Sequence, residues 1–250
     1  MSFNNNPTIV EDGLIFLLDS SNEKSFPNRT GSNQPWTDLI QGKVRTAAAG
    51  ADFTFEEDPY TAVDNTGVGA YNYGPTVDII GNSDSYTLGV WVNFTQTNRG
   101  YITNAKRTNG FSSLFGLVVN YEDNTNGINE PGTLGIIYSI GGSGGNNGAG
   151  HYFVCTEDEN YNDGNWHYLV GTFGIDKVEV YVDGIKKNER TSDGLESRRG
   201  TGEYSVGSFG NNNSSTSFIG KINKIELYNK VLSQEEIKQN YNNFKGRFGL

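Results

Sequence analysis

Carboxylates, two histidines and a lone cysteine are the side chains of this chain that could do covalent or proton-transfer chemistry, and their spacing argues against it. Glycoside hydrolysis takes two carboxyl groups held roughly 5 to 9.5 Å apart, and a strand supplies them on one face only at alternating positions. The acidic runs Glu56-Glu57-Asp58 and Glu157-Asp158-Glu159 are contiguous and sit among turn formers, so neither offers that pair. Asp158, Asn160 and Asn162 alternate as in an EF-hand loop, but the sixth position is Asp163 instead of Gly and the twelfth Leu169 instead of Glu. His151 and His167 come without a His-Glu-x-x-His pair for zinc and without a nucleophile elbow around any serine. Cys155 is alone, which excludes an intrachain disulfide and a Cys-x-x-Cys knuckle and suits a buried strand residue. The glycine run at 141–150 lacks the Lys-Ser/Thr of a phosphate-binding loop. No catalytic residue and no metal ligand is expected.

The elements that would have to position any site are strands. Residues 165–189, NWHYLVGTFGIDKVEVYVDGIKKNE, hold two runs of β-formers split at Gly174-Ile175-Asp176, with Val178, Val180 and Val182 alternating against Glu179, Tyr181 and Asp183. Period two buries one face, and Asp183-Gly184 between two such runs predicts a tight hairpin. The same alternation over 86–95 puts Tyr86, Leu88, Val90, Val92 and Phe94 on one face, with Trp91 on the other as core of a second layer. Residues 14–18 read as a strand buried on both sides. Further strands are expected at 52–55, 70–73, 76–80, 100–104, 111–120, 133–140, 151–156, 203–209 and 218–228, where Ile222 and Ile225 are out of phase and call for a bulge. One helix is expected, over 233–244: Ser233 and Glu236 form a capping box, Leu232 and Ile237 a staple, Ile237, Tyr241 and Phe244 one face, and Gly246 the stop.

These motifs resemble a known family. The Trp-His-Tyr strand, the strand ending Tyr-Val-Asp-Gly, and FIGKINKIELYNKVLSQEEI at 218–237 are similar in order and separation to the laminin G-like branch of the concanavalin A-like lectin/glucanase superfamily. The opening GLIFLLDSSNEKSFP with WTDL, and the closing GRFGL, resemble laminin G-like modules of tailed-bacteriophage virion proteins. The resemblance implies an all-β fold, a jelly-roll sandwich of two antiparallel sheets with one short C-terminal helix, in one domain over 1–250. It implies a non-enzymatic structural or decoration protein on a virion capsid or tail, with glycan binding for host adhesion; the alternative is a glycoside hydrolase or free lectin of the same fold. Glucanases of the superfamily carry Glu-x-Asp-x-x-Glu on one strand, and here Thr61 stands where the acid belongs after Glu56-Glu57-Asp58. The family's calcium turn is degraded over 63–71, so no cofactor is expected and calcium is not favoured.

Composition bounds the partners. A net charge of −10 argues against nucleic acid and anionic membranes, which select clustered Lys and Arg. The apolar run at 14–18 is too short for a span and follows no basic region, so neither a signal peptide nor a membrane segment is expected, consistent with synthesis in a host cytoplasm and residence in a virion. Fourteen Tyr, fourteen Phe and three Trp supply a core, while 33 Gly point to many turns. Expected glycan contacts are Trp36, Asp38, Tyr71 and Tyr73, where rings and polar groups cluster. Arg190, Arg198 and Arg199, with Arg247, Phe248 and Leu250 of a docking tail at 244–250, are expected to meet other virion proteins or a second copy in a homo-oligomer.

Overall fold

Alternating sequence becomes strand almost throughout. A computed structural model describes residues 8–27, 34–47, 53–56, 62–66, 70–75, 85–106, 113–121, 129–139, 151–157, 160–191, 203–208 and 216–250. In chain order the strands are β1 (Leu14–Asp19), β2 (Trp36–Thr37), β3 (Val44–Arg45), β4 (Phe53–Glu56), β5 (Ala62–Asn65), β6 (Tyr71–Pro75), β7 (Tyr86–Asn93), β8 (Gly100–Lys106), β9 (Ser113–Tyr121), β10 (Asn129–Ser139), β11 (His151–Cys155), β12 (Trp166–Phe173), β13 (Lys177–Val182), β14 (Ile185–Thr191), β15 (Glu203–Val206) and β16 (Gly220–Tyr228). Helix α1 (Gln234–Phe244) and a 3-10 turn (Lys245–Phe248) close the chain. The expected strand at 76–80 falls outside the described residues.

Two antiparallel sheets form the sandwich. One has eight strands in the order β14-β13-β12-β7-β16-β5-β4, with β1 also on β16; the other has six, β11-β10-β9-β8-β15-β6. Strand β16 carries two partners in succession along its length, β5 at Gly220 to Ile222 and β1 at Lys224 to Tyr228. A register shift against β7 between Ile222 and Lys224 is the bulge that lets Ile222 and Ile225 both enter the inter-sheet core. Asp183 (φ 53°) and Gly184 (φ 78°) form the two-residue turn between Val182 and Ile185, as a type I′ hairpin requires. In β1, Phe16 and Leu18 are fully buried but Ile15 and Leu17 only partly. The expectation of burial on both sides is corrected: Ile15 and Leu17 keep part of their surface exposed, although Ile15 still packs against the core.

The capping box is present: Ser233 Oγ accepts from the Glu236 N–H, and Glu236 Oε2 from the Ser233 N–H at 2.8 Å. Gly246 does not end the structure. The chain continues as the 3-10 turn, which Gly249 (φ 75°) caps, and that turn places Phe248 over the outer face of the eight-stranded sheet. There Trp91 stacks on Tyr168 (5.2 Å), Tyr241 (5.7 Å) and Phe248 (4.4 Å), the second apolar layer expected for Trp91.

Beneath that layer runs a buried polar network. Lys224 and Glu226, each 1% exposed, pair at 2.9 Å. The Tyr168 hydroxyl donates to Glu226 Oε1. Asn240 of α1 donates to Glu226 (3.3 Å) and to the Tyr228 hydroxyl (2.9 Å), and accepts from the Val10 N–H (2.9 Å). Tyr228 donates to the Val10 carbonyl at 3.0 Å, so helix, sheet and N-terminal segment share one set of bonds. Burial pushes the Lys224 pKa down against the pull of Glu226, and pushes the Tyr168 hydroxyl well above its ordinary range. Gly89 makes room: a Cβ there would stand 2.8 Å from Tyr168 Oη and 3.1 Å from Glu226.

Candidate functional site

The residues expected to contact glycan converge in space, but inside the protein. Trp36, Asp38, Tyr71 and Tyr73 are all fully buried. Trp36 meets Tyr71 edge-on at 5.6 Å, and Tyr73 meets Phe16 at 5.1 Å. The Tyr71 and Tyr73 hydroxyls donate to the carbonyls of Gln34 (3.0 Å) and Trp36 (3.1 Å). Asp38 accepts from the backbone N–H groups of Leu17, Ile40 and Gln41 at 2.9 to 3.0 Å, which organises the turn between β2 and β3 and leaves no face for a sugar. This expectation is corrected: the aromatic cluster is core, because β6 is closed over by the β2–β3 hairpin through the Ala47–Tyr71 bridge.

The docking tail is corrected as well. Phe248 is 4% exposed, stacked between Trp91 and Trp166 (4.6 Å). Arg247 pairs with Asp19 at 2.9 Å, bonds Asn223 Oδ1 at 3.0 Å and lies over the Phe244 ring at 4.8 Å. Leu250 is exposed. Arg190 lies 4.8 Å from the centre of the Tyr152 ring. Arg198 and Arg199 fall outside the described residues.

The two outer faces of the sandwich differ. Helix α1 and the 3-10 turn cover the eight-stranded sheet, whereas no described helix lies on the six-stranded one. Its outer face carries Tyr101, Val118, Tyr121, Ile137, Phe153 and Cys155 as a separate apolar cluster. Tyr121 stacks on Phe153 at 4.5 Å and meets Tyr101 edge-on at 5.7 Å, with the exposed Arg99 guanidinium 5.5 Å from the Tyr121 ring. Burial, then the neighbouring Tyr101 hydroxyl, pushes the Tyr121 hydroxyl well above its ordinary range. Two glycines leave room for neighbours on this face: Gly135 lies across from Cys155, whose Sγ occupies the space a Cβ would take, and Gly116 lies across from Asn104. Asn104 is fully buried, and neither its Oδ1 nor its Nδ2 has a hydrogen-bond partner. Such an amide has surrendered water without replacement, at a cost of about 1 to 3 kcal/mol per group. The alternation along β8 and the amide's register opposite Gly116 are legible only once the bulge between Tyr101 and Thr103 is known, so sequence reasoning missed this residue. The segments joining these strands, 107–112, 122–128 and 140–150, lie outside the described residues.

Comparison with known proteins follows from this architecture. Residues 66–238, more than half of the chain, match the family described as the concanavalin A-like lectin/glucanases superfamily, in its laminin G form. The chain belongs to that superfamily. No curated protein matches the sequence. Among solved structures, Trypanosoma rangeli sialidase bound to 2,3-difluoro-KDN is 16% identical with a TM-score of 0.62 over 94% of this chain and 33% of that one. Domain 4 of AbnA, a GH43 extracellular arabinanase from Geobacillus stearothermophilus in complex with arabinotriose, is 14% identical with a TM-score of 0.58 over 93% and 100%. The binding domain of Paraclostridial Mosquitocidal Protein 1 is 12% identical with a TM-score of 0.62 over 93% and 52%. The chain thus spans about a third of the sialidase and the whole of the arabinanase domain, and at these identities the likeness is one of fold.

The stretch expected to replace the family's calcium turn, 63–71, is described only in part, since 67–69 fall outside the described residues. Ala62 to Asn65 is strand β5, with Asp64 in register with Thr54 and Lys221. Among the described residues no three His, Cys, Asp or Glu side chains come close enough together to hold a metal ion. A shallow recess of about 430 Å³ lies between Asp19, Ser21, Asn22, Glu23, Lys24 and Arg247, but its two most buried charges, Asp19 and Arg247, already satisfy each other. No described helix is long and apolar enough to cross a membrane.

Proposed function

We propose that this concanavalin A-like domain is a non-catalytic glycan-binding module, acting on the surface of a bacteriophage particle, with the outer face of the six-stranded sheet as its ligand face. The observation that carries the reading is the pairing on that face of stacked aromatic rings with a buried, unpartnered amide. Tyr101, Tyr121 and Phe153 are 7%, 3% and 5% exposed and Asn104 is closed off in the fold, so a ligand would have to part this face to lay the CH face of a sugar on the rings and to reach the donor and acceptor of the amide. No pair of carboxylates stands among these residues, which favours binding over hydrolysis. Oligosaccharide is a reasonable ligand class because domain 4 of AbnA, matched over its full length, is described in complex with arabinotriose. The virion setting rests on the likeness of the chain's opening and closing phrases to phage-borne modules, and other particle proteins would be its partners.

A glycan array, followed by calorimetry with arabinotriose and with sialylated oligosaccharides, tests the ligand reading. Wild type should bind at least one class, and Asn104→Leu, which keeps the volume but removes both polar atoms, should lose about tenfold or more in affinity, the equivalent of about 1.4 kcal/mol, with its melting temperature unchanged or raised, since the unpaired amide is gone. Binding that survives this change unaltered would move the site elsewhere. Release of reducing sugar by the wild type would favour hydrolysis, and absence of the protein from purified particles would remove the virion role.

Calcium has no part in this reading. A site occupied at a hundredfold excess over its dissociation constant would add about 2.7 kcal/mol to stability. The melting temperature should therefore be the same in calcium and in chelator, and a clear drop on chelation would contradict the assignment.

A further inference from the structure

We propose that Asp163, His167 and Asp183 form a proton-dependent latch that ties the loop before β12 and the β13–β14 turn to the first residues of β12. The His167 Nδ1 lies 2.9 Å from Asp183 Oδ2, and its Nε2 lies 3.4 Å from Asp163 Oδ1. A neutral imidazole has one N–H and can donate to only one of them; the imidazolium donates to both. The ring is also held from the side by Tyr161, edge-on at 4.9 Å, and only 14% of the His167 side chain is exposed.

Each partner belongs to a different segment and has a second task there. Asp183 is in the left-handed conformation at the hairpin turn, and its other oxygen accepts from the Tyr168 N–H at 2.9 Å. Asp163 holds Asn165 through the backbone N–H (2.8 Å) and the side-chain amide (2.6 Å). The loop that carries Asp163 is joined to β10, where the Tyr161 N–H donates to the Gly132 carbonyl at 2.8 Å, and to the β7–β8 connection, where the Asn162 amide donates to the Gln96 carbonyl at 3.4 Å. Among the described residues, Asp183 and Asp163 are the carboxylates that act on the ring. Strand β7 presents Val92 opposite His167, and α1 passes over Gly184 with Lys238 and Tyr241.

Burial alone would lower the pKa of His167, but the hydrogen bond and charge of Asp183, followed by those of Asp163, outweigh it and raise the pKa above 6.5. A raised folded-state pKa gives a stabilisation that is complete below pH 6.5 and lost as the pH climbs through the folded value. Asp163 sets the other limit. Burial opposes its ionisation, but the bonds from Asn165 and the charge of His167 outweigh that and hold its pKa below 3.8, so its contribution is present above that pH and lost as the pH falls through the lowered folded value. The latch is closed in mild acid and loosens as the pH rises through the raised midpoint of His167.

Proton NMR of the full chain across pH 5 to 9 tests this, with His167→Gln assigning the signal, since His151 is the only other histidine. The His167 ring should titrate above 6.5. Asp183→Asn, which tolerates the left-handed turn and keeps the oxygen facing Tyr168, should bring that midpoint down by about one pH unit, and Asp163→Asn by less. Amide exchange in 160–165, corrected for its intrinsic pH dependence, should speed up between pH 6 and 8 in wild type and show no such step in His167→Gln. A ring that titrates at or below 6.5, a midpoint that ignores Asp183→Asn, or an exchange step that survives His167→Gln each overturns the latch.

Discussion

Deleting residues 247–250 should lower the melting temperature by roughly 10 °C, the fall expected when a 250-residue domain loses about 3 to 5 kcal/mol. The reason is Phe248. It is 4% exposed and fills the gap between Trp91 and Trp166 at 4.4 and 4.6 Å, so its removal opens a cavity over two indoles and exposes them to water. Phe248→Ala should account for most of the loss. Arg247→Ala, which leaves the largely buried Asp19 carboxylate without this partner, should cost about 1 to 3 kcal/mol. Differential scanning calorimetry of the three variants gives the ranking directly. If the truncated chain melts with the wild type, the tail does not pack as described and a docking role returns.

Glu226→Gln should be the most damaging single substitution away from the inter-sheet core, at about 3 to 5 kcal/mol. Its carboxylate is the sole acidic partner of Lys224 within ion-pair distance among the described residues and accepts from Tyr168 and Asn240. An amide in its place leaves the Lys224 ammonium buried without a counter-charge, and also forces one of the amide's own N–H groups against a donor. Pairing Lys224→Met with Glu226→Leu should recover much of the loss, since removing both charges removes the desolvation penalty along with the attraction. Urea unfolding of the single and double variants measures that coupling, and additive losses would show that the pair is not the unit described.

Period-two alternation over 86–95 and 177–182, the Asp183-Gly184 turn and the Ser233 to Glu236 box carry their geometry in local steric and hydrogen-bonding preferences, which is why sheet, hairpin and capped helix were legible from the residues themselves. The bulge in β16 was legible for the same reason, as a phase error between Ile222 and Ile225. What local preference cannot state is which neighbour a side chain meets. Trp36, Tyr71 and Tyr73 have the composition of a sugar platform and are core, because a hairpin with no strong strand signal, Trp36–Thr37 on Val44–Arg45, folds over β6. Phe248 and Arg247 have the composition of a docking tail and are packing, because the 3-10 turn that follows α1 aims them back at Trp91 and Asp19. Lys224 and Glu226 are neighbours on one face of β16, but their burial comes from α1 and the N-terminal segment, which pack over them from far along the chain; the amide of Asn104 is placed by register across a bulge, and Asp183 reaches His167 only once the hairpin has formed. Burial sets the energetic weight of each, and burial is a property of the assembled sheets that no stretch of this sequence contains.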